Sequence, residues 1–482
     1  MTNPVVDPGK GEQYRLVLTP HPLQRVGAFA LAALAGEDAP DRMTAEGFEA
    51  ALEVMAEDAV RAALGRDTKA ADGFWLKASH SFFPDTAMNH PSNGKRSDDG
   101  VREWVRRWRT LPGRQQWPSV ACVLCSRQAV GFYGKSDVPL AESSSYRNCT
   151  PRGHTGVALC WPCLNSFYAL PYGVRLTGGP SVALHSWDDA FLKHAVAEQV
   201  DFNRMLAATG DGSRRQIQAR EVVALEALRT HRRPVGASVD LMVFSNSNRD
   251  PMLEIHSLEQ PLAEWLRRTQ RLKGLRAGFA ELVRAHESAS TPGLVSLARN
   301  AFRSPQRIVS AGIPRLLGNL TGAGSDRSRT RALARLLDSF ATEVMLMTEK
   351  DLAEIAGTAR NVAALLSTAT SPGDLRAFRR LLSDPGGLRK WLTSKGVQWA
   401  VDPPPGVKGP LVTERSFELL FNPVSENPGW FHRNMLVVGV LQELNTLGWK
   451  PAEKGDKEDG DEGGEGGLED EWRPGFGTED EK

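Results

Sequence analysis

Apolar positions along this chain recur mostly at helical spacing, interrupted by a few short runs that read as strand. Tyr14–Thr19 reads as one such strand, and the apolar run 26–35 (VGAFALAALA) as a buried helix. That run falls well short of the roughly 20 residues that cross a bilayer. Phe48, Leu52, Met55 and Ala59 share one helix face, with Gly65 where a C-terminal cap belongs. After Phe82-Phe83 comes a polar loop, 84–100, and then a short helix with Val101, Trp104, Val105 and Trp108 as its apolar stripe. Arg102, Arg106, Arg107 and Arg109 occupy its other faces. At that strict spacing the tryptophans read as core, with stacking on bases as the alternative.

Ser186 followed by Asp188 and Asp189 opens a helix to about 208, and a second covers roughly 214–232. Residues 239–245 (VDLMVFS) form a strand, 246–251 a polar turn, and Leu253–His256 the hairpin partner. From 257 onward the pattern is helical. Leu258, Leu262, Trp265, Leu266, Leu272, Phe279 and Leu282 mark one long helix, and Leu333, Leu336, Leu337 and Phe340 another. Thr348 with Asp351 caps a third, Ser371-Pro372 opens a fourth, and Phe431 to Leu447 forms the last, closed by Gly448. The pattern is α+β: helices and strands mixed in the N-terminal part, then successive helices with short links that point to a C-terminal α-helical bundle. The segments are 1–120, mainly helical; 121–165, a module that holds the cysteines; 166–256, the rest of the mixed part; 257–450, the bundle; and 451–482, a tail.

A chain of 482 residues can build two or three domains without disulfides. Its N-terminus has no basic region leading into an apolar core, so the expected location is the cytoplasm, where thiols stay reduced. The net charge of +1 conceals a division. Residues 451–482 hold 13 acidic and 4 basic side chains, which leaves +10 on the remainder. A tail so rich in Gly, Glu and Asp cannot bury a core and is expected to be disordered. A body at +10 leans, weakly, toward polyanionic partners.

Four of the five cysteines form two Cys-x-x-Cys pairs, Cys122/Cys125 and Cys160/Cys163. Each such turn delivers two thiolates to one side of an ion, so two turns can close a tetrahedral site. The expected ligands of a structural Zn²⁺ are therefore Cys122, Cys125, Cys160 and Cys163. The 34 residues between the pairs exceed the roughly 15–20 of a compact zinc ribbon, which implies an inserted loop. Cys160-Trp-Pro-Cys163 could alternatively serve alone as a thioredoxin-like redox centre, which leaves the first pair unexplained. Cys149 or His154, inside the loop, could replace a thiolate.

No phosphate-binding loop, dinucleotide fingerprint, H-E-x-x-H or G-x-S-x-G occurs. His80, His90, His154 and His185 flank the cysteine module, so a metal-dependent nuclease with carboxylates gathered in space stays open. Arginines are dense from 267 onward: Arg267, Arg268, Arg271, Lys273, Arg276 and Arg284, then Arg299 to Arg335. Glu264 and Glu281 are the only carboxylates from the turn before Arg267 to Arg284, too few to pair every charge there, which favours contact with a nucleic-acid backbone over a solvated, ion-paired face.

Three stretches bear a likeness to a known family. They are Ser81-Phe-Phe-Pro84 with its loop to Asn93, the double C-x-x-C running into Asn165-Ser-Phe-Tyr168, and Val243-Phe-Ser-Asn-Ser-Asn248 followed by Leu253-Glu-Ile-His256. Together they resemble the large subunit of the type I-B CRISPR surveillance complex (Cascade), in its zinc-containing branch. The likeness runs in order over about residues 10–450. It departs at Ser257-Leu258-Glu259, where family members often carry Pro, and the acidic tail has no counterpart. The resemblance implies a mixed N-terminal domain with an inserted zinc-binding module and a C-terminal α-helical bundle, in a subunit that catalyses nothing. Such a subunit helps recognise the motif flanking a double-stranded DNA target, steadies the displaced strand and recruits a helicase-nuclease. Its partners would be the crRNA, the backbone and crRNA 5′-end-capping subunits and the small subunit, with no membrane. Guide pairing reads the long sequence, and protein side chains read the flanking motif and the backbone. The expected nucleic-acid contacts are Arg106, Arg107, Asn246, Asn248, Arg267, Arg268, Arg271 and Lys273, with a simple turn as the other reading of the asparagines. In this family the bundle can also be made separately from an internal start, for which Met345 and Met347 stand ready. A zinc-stabilised nuclease and a zinc-containing protein-interaction scaffold are the competing functions.

Overall fold

The computed structural model describes residues 14–70, 73–84, 86–141, 156–177, 179–210, 219–247, 251–321, 326–368, 372–403, 409–422 and 429–450. They are mostly helical, with a small amount of antiparallel sheet. The chain divides into two compact units: Met1–Arg268 with Ala301–Arg303, and Thr269–Asn300 with Ser304–Lys482.

The first unit is organised around α1 (Pro22–Leu34), whose residues Leu23 to Ala32 are all buried. This is the apolar run of the sequence, and no described helix is long and apolar enough to cross a membrane. The segment before it does not form the expected strand. Two of its backbone groups are instead met by one side chain: the Thr19 amide donates to Gln24 Oε1 (3.0 Å), and Gln24 Nε2 donates to the Val17 carbonyl (3.0 Å). Next comes α2 (Ala45–Leu64), with Thr44 as its N-cap and Gly65 following in an extended rather than left-handed conformation. Then come α3 (Phe74–Phe82) and α4 (Asp98–Trp108). Val101 and Val105 of α4 are buried, and Trp104 and Trp108 pack against the same core.

Two short strands, β1 (Gly131–Tyr133) and β2 (Val157–Leu159), pair antiparallel and lead into α5 (Trp161–Ala169). Beyond it lie β3 (Ser181–Ser186), α6 (Asp189–Thr209), α7 (Val222–Thr230), β4 (Val239–Ser245), β5 (Met252–Leu258) and α8 (Gln260–Arg271). Asp188 caps α6, its carboxylate accepting from the amides of Ala190 and Phe191. The sheet runs β3-β4-β5, all antiparallel, with Leu184 opposite Leu241 and Met242 opposite Ile255. β4 and β5 are the expected hairpin, whereas β3 was not foreseen. All six of its residues are buried, so it lacks the alternation that marks a half-exposed strand. On β5 the side chains of Leu253 and Ile255 lie on the sheet face of Phe244 and Met242 but stay about half exposed.

The single long helix expected over 258–282 is two. Leu272 is extended (φ −72°, ψ 124°) and separates α8 from α9 (Lys273–Ala285). Helical spacing survives the break because the apolar stripes on either side happen to stay in phase. The second unit holds only helices among its described residues: α9, α10 (Gly293–Arg303, its last turn belonging to the first unit), α11 (Arg307–Thr321), α12 (Arg327–Glu343), α13 (Glu349–Ser367), α14 (Pro372–Arg380), α15 (Pro385–Val401), α16 (Glu414–Phe421) and α17 (Gly429–Leu447). Thr348 caps α13 by accepting from the Asp351 amide (3.1 Å). α17 is the central helix here, packing against α13 on one side and α11 and α12 on another. It ends at Gly448, whose φ of +73° is left-handed. The tail 451–482 lies outside the described residues.

Candidate metal centre

The first Cys-x-x-Cys forms a tight turn. Ser126 sits at φ +63°, and its amide donates to the Cys122 carbonyl (2.9 Å), folding Val123 to Cys125 around the sulfurs. The Val123 amide donates to the Ala158 carbonyl (3.0 Å), tying this turn to β2. The second pair comes from the start of α5, with Cys160 as the N-cap and Cys163 in the first turn. A helix N-terminus favours negative charge, but at Cys160 and Cys163 crowding by the other thiols and burial outweigh it.

The two pairs meet. One sulfur from each of Cys122, Cys125, Cys160 and Cys163 lies within 4.8 Å of all the others. Cys125 Sγ and Cys160 Sγ are 3.4 Å apart, too far for a disulfide, and all four cysteines are free. Sulfurs about 2.3 Å from a tetrahedral ion stand about 3.8 Å apart, so the cage fits a metal with thiolate ligands. Three of the four are buried, and the cluster packs into the main core of the first unit. A redox centre made of Cys160 and Cys163 alone does not account for Cys125 in contact with Cys160.

Crowding sets the thiol chemistry. At Cys122 the hydrogen bond with Cys125 works upward, but Cys160 and Cys163 outweigh it and the thiol is lowered to about 7. Cys125 is held far below the usual thiol range, first by Cys122 and then by Cys160 and Cys163. Cys160 and Cys163 are pushed up by their bonds toward Cys122 and Cys125, with burial adding to the effect. Four sulfurs this close cannot all ionise without a cation, and a bound divalent ion would displace protons from all of them. Arg127, which spacing did not single out, donates through Nε to Cys125 Sγ (3.4 Å) and through Nη1 to the Arg15 carbonyl (2.6 Å). It brings one positive charge to a thiolate-rich cage.

Among the described residues, none of the flanking histidines joins the cysteines. His80 and His90 are exposed, His185 is buried with Nδ1 3.2 Å from Asp240 Oδ2, and Cys149 and His154 lie outside the described residues. Among the described residues, no second group of three or more His, Cys, Asp or Glu is placed to hold an ion.

The other candidate residues are spread over the chain, and several are engaged internally. Arg106 pairs with both Glu53 and Glu57 of α2, and Arg107 with Glu103 (2.5 Å). Arg267 is buried, donating to both oxygens of Glu264 (2.7 Å each). Arg268 and Arg271 are half-buried, and Lys273 is exposed with no ion-pair partner among the described residues. Asn246 is fully buried. Its Nδ2 donates to the carbonyls of Phe82 (2.7 Å) and Lys135 (3.1 Å), and its Oδ1 accepts from the Leu140 amide (2.8 Å). Asn248 lies outside the described residues.

Asn246 thereby joins three distant stretches. The Phe82 ring meets Phe244 at 5.6 Å and the Phe83 ring meets Tyr168 at 5.9 Å, so the ends of α3, α5 and β4 share one core. Asp137, in the turn after β1, accepts from Trp108 Nε1 (2.9 Å) and Tyr168 Oη (2.7 Å). Burial, then the charge of Asp137, pushes the Tyr168 phenol well above its usual value, which keeps it a donor. Arg109 does not share the outer faces of α4. It turns inward, its guanidinium 3.6 Å from the Tyr168 ring centre and 4.1 Å from that of Trp108. Neither Asp137 nor the inward turn of Arg109 has a signal in local sequence. The chain matches no protein-family model, no curated protein and no solved structure.

Proposed function

We propose that this chain is the non-catalytic large subunit of a type I-B CRISPR surveillance complex, with a structural zinc ion at its cysteine cage. The observation that carries this reading is the meeting of the three resembling stretches. Ser81–Pro84, Asn165–Tyr168 and Val243–Asn246 lie far apart in sequence, yet Phe82 touches Phe83, Phe244 and Asn246, Phe83 touches Tyr168, and these rings belong to the core cluster that also holds Cys122, Cys160 and Cys163.

Zinc suits an all-sulfur, closed, four-ligand cage, where the ion would fix the turn at Cys122 against the first turn of α5 and leave no open position for catalysis. Guide pairing would supply long-range sequence recognition, and this chain would contribute backbone contacts. Arg106, Arg107 and Arg267 already hold carboxylates, so Lys273 and other exposed, unpaired basic side chains are the better phosphate contacts.

The test is co-expression with the partner subunits and a repeat-spacer RNA. The expected result is one complex containing this chain, the guide and zinc at one ion per chain. A chain that never enters the complex overturns the assignment, as does metal-dependent DNA cleavage by the isolated chain that survives Cys163→Ser. Iron or no metal in the purified protein overturns the zinc assignment alone.

A further inference from the structure

We propose that the acidic segment 451–482 docks on an arginine row of its own α12 and covers a polyanion-binding face. α12 presents Arg327, Arg331 and Arg335 at four-residue intervals, so they stand on one side of the helix, and all three are exposed. None of them has a carboxylate partner among the described residues. Arg329 on the same helix differs, because it is paired with Asp326 (3.1 Å) and lies 3.8 Å from the buried Glu281. Asp338, one turn beyond Arg335, is itself largely buried and pairs with none of the row.

The chain leaves α17 at the foot of this row. Arg327 Nη2 donates to the Gly448 carbonyl (3.4 Å), Asn445 Nδ2 donates to the Arg327 carbonyl (3.2 Å), and the left-handed Gly448 turns the backbone there. Two residues later the acidic segment begins, and six carboxylates fall within 453–462: Glu453, Asp456, Glu458, Asp459, Asp461 and Glu462. The row is about 12 Å long at the rise of an α-helix, and even this first part of the segment spans more than that when extended. Tethering replaces a bimolecular encounter with an effective concentration near the millimolar range. A segment of net charge −9 is thus held beside three guanidinium groups that have no carboxylate partner among the described residues. Arginine binds carboxylates in the same forked geometry as phosphates, so the segment would occupy the face that a nucleic-acid backbone would use. The docking itself rests only on charge and geometry; that the excluded ligand is nucleic acid rests on the function proposed above.

The experiment uses the full chain and a full-length variant in which the 13 carboxylates of 451–482 are changed to amides. Both are treated with an arginine-specific dicarbonyl, and modification is followed residue by residue by mass spectrometry. Arg327, Arg331 and Arg335 should react at least about threefold more slowly in the native chain at low salt, and that protection should vanish when salt shortens the screening length. Exposed Arg299 and Arg307 serve as references and should react alike in both chains. Equal rates at the row in the two chains overturn the docking. A random-sequence duplex is then titrated into both. Tighter binding by the amide variant, lost on R331Q/R335Q, supports docking and polyanion reading together. A protected row with no duplex binding by either chain supports the docking and removes nucleic acid as the excluded ligand.

Discussion

Asn246 shows how far a single side chain can act from its place in the sequence. Its three hydrogen bonds close on groups 164, 111 and 106 residues away. Asn246→Ala should destabilise the first unit by about 2–4 kcal/mol, because two buried carbonyls and one amide lose their partner. Asn246→Asp should do at least as badly, since it points carboxylate oxygens at two carbonyls; a urea midpoint unchanged in both variants would contradict this. Asp338 gives a prediction of the opposite sign. Burial raises its carboxyl from 3.8 to about 6. Between those values the folded state holds a proton that the unfolded state has lost, so its contribution is full below about pH 4 and disappears as pH rises through 6. Asp338→Asn should stabilise the protein at neutral pH, by on the order of 2–3 kcal/mol, and flatten the stability profile between pH 4 and 6. The cysteines were legible because ligand pairs are encoded locally, with two residues between them. Arg106 and Asn246 were not, because what occupies each of them is decided by folding. The two carboxylates on Arg106 lie 49 and 53 residues away, on another helix.

Helices were read well whether one face is buried, as in α2, α12 and α13, or nearly the whole circumference, as in α1 and α17. Strands were harder, because β3 is buried on both faces and carries no alternation, and Tyr14–Thr19 has the composition of a strand without pairing as one. The break at Leu272 escaped notice because periodicity reports phase and not continuity. One crossing is especially sensitive. A methyl group on Gly27 of α1 would lie 1.8 Å from the Ser166 carbonyl oxygen of α5. Gly27→Ala must push α1 away from the helix that carries Cys160 and Cys163, at a cost of about 3 kcal/mol or more. It should lower the melting temperature and also hasten metal loss to a chelator. A lower melting temperature with unchanged release kinetics would mean that α5 keeps the cage closed without α1.

For the whole molecule, composition gave the balance of charge but not its arrangement. The excess of positive charge outside the tail is partly consumed in pairs, with Glu281 alone serving Arg284, Arg315 and Arg329. The chain divides into two compact units at Arg268, and among the described residues the strands lie in the first. A product begun at Met345 or Met347 would keep α13 and α17 but lose α11 and α12, laying bare the apolar side of α17 that they cover. The sheet has a liability of its own. β5 is its outer strand among the described residues, with Leu253 and Ile255 48% and 53% exposed on the side that continues the core. Unpaired amides and carbonyls beside such residues template the zippering of one molecule onto the next, so the isolated chain should clump in proportion to its concentration. Ile255→Lys should raise the monomeric fraction in size-exclusion chromatography at unchanged melting temperature. The stickiness of this protein in isolation would then trace to seven residues of strand.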